Sequence, residues 1–387
     1  MWIRGIYEVA LDNQGGTGIS QFYSCYKTGV YSNADCTTAI TENKIAIPIK
    51  QGYTFLGYYD ADGVICIDKN GNLSDYFLGE FTNVTADLTL VAKWQENTYT
   101  VDYNSNGGTG STDSSTHTYD QSKSLTANGF SRVGYMFNCW NTNADGSGTS
   151  YADKESVKNL TDVDGETVTL YAKWSVDPYT IGKYVENESI VSDSDGGKPY
   201  IVYNDITKTP QSVEPGYIYI IDWSKYTGTV DYIESVTQAD GTRYGGGNFN
   251  HDINSIDEVY FIGNSSVTFT NMILFHVNYS QYSTVPTIHF KDFNIVDSAF
   301  YVWAPEETMH RTMILDIQGE CSIKAPTGCK AISGFKKITF EGSGILEVHG
   351  GRGACGIDVE DIVNNMTGTL IVYDGNSGKG DDEFIRS

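Results

Sequence analysis

Apolar and polar residues alternate with a period of two along much of this chain, in short runs separated by turns rich in Gly, Asn and Asp. Tyr99-Thr-Val-Asp-Tyr103 and Val168-Thr-Leu-Tyr-Ala-Lys-Trp174 are two such runs, and each carries the signature of a half-buried strand. Asn106-Gly107-Gly108 follows the first with residues that accept positive φ in a turn. Between these two runs only residues 151–160 form a stretch long enough for a helix, and a short one, with Asp153 and Glu155 early in it. The pattern predicts a mainly β protein.

A longer period overlies the alternation. Trp2, Trp94 and Trp174 each stand five positions before a tyrosine, at Tyr7, Tyr99 and Tyr179. The intervals between them carry the same strings in the same order: YEVALDNQGGTG, GYTFLGYYDADG and LTLVAKW, then YTVDYNSNGGTG, GYMFNCWNTNADG and VTLYAKW. Gly52 to Trp94 is 42 positions and Gly134 to Trp174 is 40, whereas Gly16 to Gly52 is 36 against 26 for Gly108 to Gly134. The rear of the unit is thus fixed in length, and its front carries an insertion at residues 23–43, which a surface loop accepts at small entropic cost. The period predicts two modules, residues 5–94 and 97–174. Tyr135, Phe137, Trp140 and Trp174 have the bulk to fill so small a core. Trp2, at the same offset, predicts a further unit upstream and hence a chain taken from a longer exported multi-repeat protein.

These strings closely resemble the Listeria–Bacteroides repeat, also called the internalin B-repeat, which occurs in tandem on secreted and wall-attached bacterial proteins. Residues 97–174 match its signature nearly throughout, with NGGTG at 106–110, ADGSGT at 144–149 and LYAKW at 170–174. The first unit departs from it where Gln14, Tyr58 and Val91 stand for Asn106, Trp140 and Tyr171. The resemblance implies small β-grasp-like modules that act as spacers or interaction units, without an active site or cofactor.

After Trp174 the pattern changes. Residues 175–198 read as a boundary, followed by strand-like segments at 200–203, 217–223 and 229–236 and a Gly-rich loop at Gly245–Gly247. From Val259 a looser repetition begins: VYFIG, IHFKD, ILDIQG, ITFEG and LIVYDG start at 259, 288, 314, 338 and 370. A second strand follows each of the first four, and a third begins at Ile273, Ala299, Cys329 and Cys355. Three short strands per period, with no helix between, predict a right-handed parallel β-helix over 175–387, with an N-terminal cap region at about 175–258. Val259, Ile288, Ile314, Ile338 and Leu370 are expected to stack inward along one sheet. A β-sandwich is the alternative. Residues 340–359 resemble the Gly-rich rungs of β-helical domains of secreted bacterial proteins often described as carbohydrate-binding. The last ten residues carry no evident apolar cap.

Composition narrows the partners. A net charge of −24 argues against nucleic acid as a partner, since a phosphate-binding surface needs clustered Lys and Arg. No apolar run reaches bilayer length, so no membrane insertion is expected, and the N-terminus lacks the pattern of a signal peptide. Seven cysteines at irregular spacing form neither a disulfide framework nor a C-x-x-C site. Cys25 and Cys36, both in the front insertion, are a candidate bridge, and buried thiols are expected for most of the others.

Candidate chemistry is sparse. Asp292, Asp316, Glu341 and Glu347 fall on neighbouring rungs, with His289, His310, Arg311 and His349 nearby in sequence. Carboxylates beside the sugar-stacking aromatics Tyr301 and Trp303 would equip a polysaccharide lyase or glycosidase. Outward polar residues alternate on any solvated strand, however, and account for the same pattern. Gly350-Gly-Arg-Gly353 lacks the strand-then-helix context of a phosphate loop, and Asp68-Lys-Asn-Gly-Asn72 has its glycine at the fourth position where a calcium loop needs the sixth. No catalytic, cofactor or metal residue is assigned. Tyr301, Trp303, Asp316 and Glu341 are the candidate glycan contacts. The expected function is a non-catalytic, adhesin-like protein, secreted or on a bacterial cell surface, that contacts a glycan or a host or cell-surface protein; the alternative is a polysaccharide-degrading β-helix enzyme.

Overall fold

The alternating runs fold as strands, and little else forms. The computed structural model describes residues 5–26, 28–78, 84–193, 197–205, 216–226, 228–231, 236–237, 243–244, 248–249, 258–270, 273–274, 287–296, 300–301, 312–375 and 382–385. The chain divides into two compact units, Met1–Phe130 with Cys139–Ala172, and Ser131–Asn138 with Lys173–Ser387. Among the described residues no helix is long and apolar enough to cross a membrane.

Two sheets near the start share one strand order. In the first, Ile6–Asp12 lies between Gln21–Cys25, antiparallel, and Leu88–Glu96, parallel; Tyr53–Tyr59 and Ile65–Asp68 follow. In the second, Thr98–Asn104 lies between Ser115–Thr118, antiparallel, and Thr167–Val176, parallel; Tyr135–Asn141 and Ser150–Tyr151 follow. The first sheet gains Gly29–Tyr31 at its edge from the front insertion, where Cys25 and Cys36 are joined by a disulfide.

The matching strings do matching work. Gln14 and Gly15 have φ 49° and 82°, and Asn106 and Gly107 have φ 46° and 92°, a left-handed pair that glycine accepts without steric cost. In each turn the carboxylate or amide oxygen two residues before accepts the backbone N–H: Asp12 from Gln14 at 2.9 Å, Asn104 from Asn106 at 2.8 Å. That bond holds Gln14 where asparagine is the commoner choice. Tyr58 and Trp140 are both fully buried. Phe55 meets Trp94 edge to face at 5.4 Å, and Phe137 meets Trp174 the same way at 5.8 Å.

Residues 151–160 are not helical. Ser150–Tyr151 and Ser156–Val157 are strands, and Val157 is buried where it pairs with Lys123. Lys154 and Asn159 have φ 60° and 56°, which interrupts any helix between them. The one short α-helix among the described residues, Asp75–Leu78, serves to bury Phe77 against Phe22.

A single residue, Asn97, joins Leu88–Glu96 to Thr98–Asn104. Its N–H donates to Gly52 O at 2.9 Å, its side chain accepts from Thr54 Oγ1 at 2.7 Å, and its Nδ2 donates to Asp162 O at 2.7 Å. A Cβ on Gly52 would lie 2.2 Å from the Tyr119 ring. In the second unit the same bond recurs, Asp177 N–H to Gly134 O at 2.9 Å, and a Cβ on Gly134 would lie 2.4 Å from Ile181. Each glycine of a G-Y string is therefore a recess that receives a side chain of the segment following its sheet.

Apart from a two-stranded antiparallel sheet of Val236–Thr237 and Arg243–Tyr244, the rest of the second unit as described is built from three sheets whose strands pair almost entirely in parallel. The first runs Tyr200–Tyr203, Ile218–Asp222, Glu258–Ile262, Thr287–Lys291, Thr312–Gln318, Lys337–Gly342 and Asp361–Asn364. The second runs Gly228–Asp231, Val267–Thr270, Asn294–Val296, Glu320–Lys324, Ile345–His349 and Thr369–Asp374. The third takes Asn248–Phe249, Ile273–Leu274, Phe300–Tyr301, Ile332–Ser333 and Ile357–Asp358. Successive strands visit the three sheets in turn, and the pairing differs from the antiparallel pairing of a sandwich. Parallel pairing begins upstream of the repeating strings, at Tyr200. Antiparallel strands flank the array: Ser189–Val191 on the first sheet and Asp382–Ile385 on the second.

The inward columns differ from the expected one. Val259 and Ile288 stack as expected, but the next member is Leu315 and then Phe340. Ile314 faces outward and is half-buried, while Met313, Leu315 and Ile317 are fully buried. Ile338 is fully buried in a neighbouring column between Met313 and Ile362. Leu370 is buried in the second sheet, stacked on Leu346. The cause is the seven-residue strand Thr312–Gln318, whose apolar run Met313-Ile-Leu-Asp-Ile317 supports either phase. We expect Ile338→Ala to cost about 2–5 kcal/mol by leaving a cavity, and Ile314→Ala about 1 kcal/mol for partial burial. Urea denaturation of both variants checks the order, and equal costs would refute the observed phase.

Candidate functional site

The outward face of the first sheet is where chemistry collects. Tyr260, His289, Asp316 and Glu341 follow one another in register on four adjacent parallel strands. Period-two alternation turns all four away from the core, because Val259, Ile288, Leu315 and Phe340 point inward. Parallel pairing then sets their side chains one strand apart.

His289 is the centre of the group. Its Nδ1 lies 2.7 Å from Asp316 Oδ2 and its Nε2 lies 3.0 Å from Glu258 Oε1. The Tyr260 ring stacks on the imidazole at 4.1 Å with an interplanar angle of 6°. Tyr260 OH donates to Glu258 Oε1 at 2.5 Å, Tyr179 OH to Asp316 Oδ2 at 3.2 Å, and Gln318 Nε2 to Asp316 Oδ1 at 3.1 Å. Tyr179 meets Tyr260 edge to face at 5.3 Å, and Lys291 Nζ lies 5.0 Å from the Tyr179 ring centroid. An apolar cluster that includes Val176, Ile181, Val202, Ile220 and Ile262 adjoins this face.

This geometry fixes the protonation states. Two carboxylate oxygens facing the two ring nitrogens call for two N–H donors, so the imidazole is held as its cation. Burial alone would lower the His289 pKa, but the hydrogen bonds to Asp316 and Glu258 outweigh it and raise it above the ordinary 6.5. The hydrogen bond to His289 leads the causes that hold Glu258 and Asp316 below their ordinary 4.5 and 3.8. Burial, above all, raises the Tyr179 and Tyr260 phenols. Neither ring nitrogen of His289 is left to take a proton from a substrate, and the group reads as a clamp across three strands.

The candidates read from the sequence part company here. Asp316 and Glu341 are neighbours on one face. Glu347 lies on the second sheet, opposite Ser322, and so cannot join them. Asp292 sits in a turn at φ 51°, where Oδ1 accepts the Glu320 N–H at 3.1 Å. His349 stacks on Tyr373 at 4.2 Å, away from the clamp. Tyr301 ends a third-sheet strand opposite Ser333, but its side chain lies outside the described residues, as do Trp303, His310 and Arg311. Glu258 was missed. With Ile288 opposite Ile314, His289 would face Leu315; the true phase brings it to Asp316.

Asp68 closes its own turn, accepting from Asn70 N–H and Asn72 N–H at 2.8 Å and from Asn72 Nδ2 at 2.8 Å. Among the described residues no group of three His, Cys, Asp or Glu is placed to hold a metal ion. Cys66 and Cys321 are buried free thiols and Cys329 is exposed; burial raises both buried thiols, Cys321 to about 12.

Comparison with known proteins locates one part of the chain. Residues 99–173 match the family model of the Listeria-Bacteroides repeat domain. A protein of Evansella cellulosilytica named as a Gly-rich membrane protein is 27% identical over 197 residues, 50% of this chain and 19% of its own length. A second protein of that organism, named as a membrane protein, is 28% identical over 177 residues, 45% of this chain and 23% of its own. The chain thus spans about a fifth of the length of these curated relatives. No solved structure matches the chain.

The clamp predicts a defined pH dependence. The raised His289 pKa contributes stability that is full below 6.5 and is lost as pH rises through the folded value. The depressed carboxylates contribute stability that is present above 4.5 and is lost as pH falls through their folded values. His289→Gln is therefore expected to cost roughly 1–3 kcal/mol between those limits. The difference from wild type should shrink at higher pH. Thermal melts of both proteins across pH check this, and a difference that grows toward alkaline pH would contradict it.

Proposed function

We propose that this chain is a non-catalytic part of a bacterial surface protein, in which residues 5–94 and 97–174 are tandem Listeria–Bacteroides repeat modules of β-grasp-like fold. They act as a spacer for a right-handed β-helix over 175–387, which contacts a glycan or a host or cell-surface protein. The observation that carries the spacer role is the joint seen at Asn97 and again at Asp177, each bonded to the glycine of a G-Y string. A one-residue link held by several hydrogen bonds transmits orientation, whereas a Gly/Ser-rich linker lets it go. Relatives named as membrane proteins and the family match at 99–173 favour association with the cell surface.

The absence of turnover is part of this reading. Asp316 is occupied by His289, Tyr179 and Gln318, so the carboxylate beside Glu341 on the adjacent strand is not free to serve as the second of the pair that glycoside hydrolysis uses. Tyr301, Trp303, Asp316 and Glu341 remain the proposed glycan contacts. We expect the purified chain to retain a subset of glycans on an array and to release no reducing or unsaturated ends from plant, microbial or mucin polysaccharides. Release that disappears in Glu341→Ala would establish the polysaccharide-degrading alternative instead.

A further inference from the structure

Away from the His289 clamp, the second unit holds a cleft of about 380 Å³, within the size range of small-ligand sites. Asn204 and Asp222 lie at the ends of two paired strands, since Tyr203 stands opposite Ile221. Both line the cleft, together with Gly182, Lys183, Ser224 and Lys225. Asp222 occupies an outward position where its own strand has Ile218 and Ile220 and the paired strand has Ile262. A carboxylate in that row is not there for packing.

Asp222 is 2% exposed. Its Oδ1 accepts the Ser224 N–H at 3.0 Å, while Oδ2 is buried with no hydrogen-bond partner. A buried carboxylate oxygen left without a donor is costly and rare. Gly182 packs directly against the carboxylate, since a Cβ there would lie 2.4 Å from Oδ2. The two donors of the Asn204 amide are spent on Gly182 O and Val185 O, both at 2.8 Å, so its oxygen is the side-chain atom left to accept. Lys183 and Lys225 are exposed side chains on the same cleft, and neither forms an ion pair with Asp222.

Three requirements follow for an occupant. Oδ2 lacks a hydrogen-bond donor, the two exposed ammonium groups favour an anion over a cation, and one carboxylate against two lysines leaves a single positive charge to be matched. A bare anion offers no donor and is repelled by Asp222. A zwitterion is neutral and leaves one lysine unmatched. Hydroxyl groups and one carboxylate on the same small molecule meet all three. We infer that this cleft is a binding site for an acidic sugar, with Asp222 and Asn204 accepting from ring hydroxyls and Lys183 and Lys225 holding the sugar carboxylate. The inference deepens the glycan-binding reading and rests on it.

The test is calorimetric titration of the full chain with sodium galacturonate and sodium glucuronate, with galactose and glycine as the neutral and zwitterionic comparisons. One uronate is expected to bind more tightly than either comparison. Asp222→Asn, which replaces an acceptor by a donor at nearly constant shape, should weaken it about tenfold or more. Lys225→Ala, on an exposed side chain, should weaken the uronate and leave galactose unchanged, with thermal melts confirming that each variant is folded. Uronate binding that is absent, or indifferent to both substitutions, overturns the site. Neutral glycans retained equally by wild type and Asp222→Asn, with no uronate bound, would overturn the site alone. Retention of no glycan by any form would overturn the broader reading as well.

Discussion

Register between neighbouring parallel strands is the constraint on which the second unit depends. Each strand of the array hydrogen-bonds only to the strands beside it in its own sheet, so no segment completes its pairing or its core column unless the next one arrives in phase. Val259, Ile288, Leu315 and Phe340 form one such column, and Ile221, Phe261, Phe290 and Ile317 another. The same phase that aligns these residues inward aligns Tyr260, His289, Asp316 and Glu341 outward. Core and clamp are consequences of a single geometric choice, and a slip of one residue would exchange them.

That dependence explains what was legible in the sequence and what was not. Turn strings and closing tryptophans repeat with near-constant spacing, so the paired order of the two early sheets could be read from GG turns, G-Y blocks and A-K-W strands. Even Gln14 keeps the left-handed turn. In the later array the strand sets were readable, yet their phase was not: Met313, Ile314, Leu315 and Ile317 are all apolar, and Thr312–Gln318 is long enough to slide. One error of phase hid the partnership of His289 with Asp316. Glu258 was invisible for another reason, since it opens a strand and reaches the imidazole of the next coil sideways. Residues 151–160 misled because two acidic residues early in a polar stretch look like a helix start, whereas burying Val157 in a strand was the stronger demand.

Glycine plays a second part here besides its turn-forming one. At Gly52 and Gly134 the missing side chain is filled by Tyr119 and Ile181 of the segments that follow, and the glycine carbonyl takes the first N–H after the preceding strand. A feature that looks like family signature in the sequence thus acts as a socket between consecutive parts of the chain. The requirement is steric, which is why the string tolerates Tyr58 in place of Trp140 nearby while it keeps the glycine.

The parallel pairing of the first and last strands, in chain order, of each early sheet bears on mechanics. Ile6–Asp12 pairs with Leu88–Glu96, and Thr98–Asn104 with Thr167–Val176, so each segment enters and leaves through adjacent strands running the same way. Tension along the chain pulls the two strands past each other lengthwise, and their hydrogen bonds must fail together. They cannot open one after another like a zipper. Survival under such a load is governed by the unfolding rate more than by equilibrium stability. A short sheet of modest stability can on these terms hold against shear, a property suited to any chain stretched between a surface and what it grips.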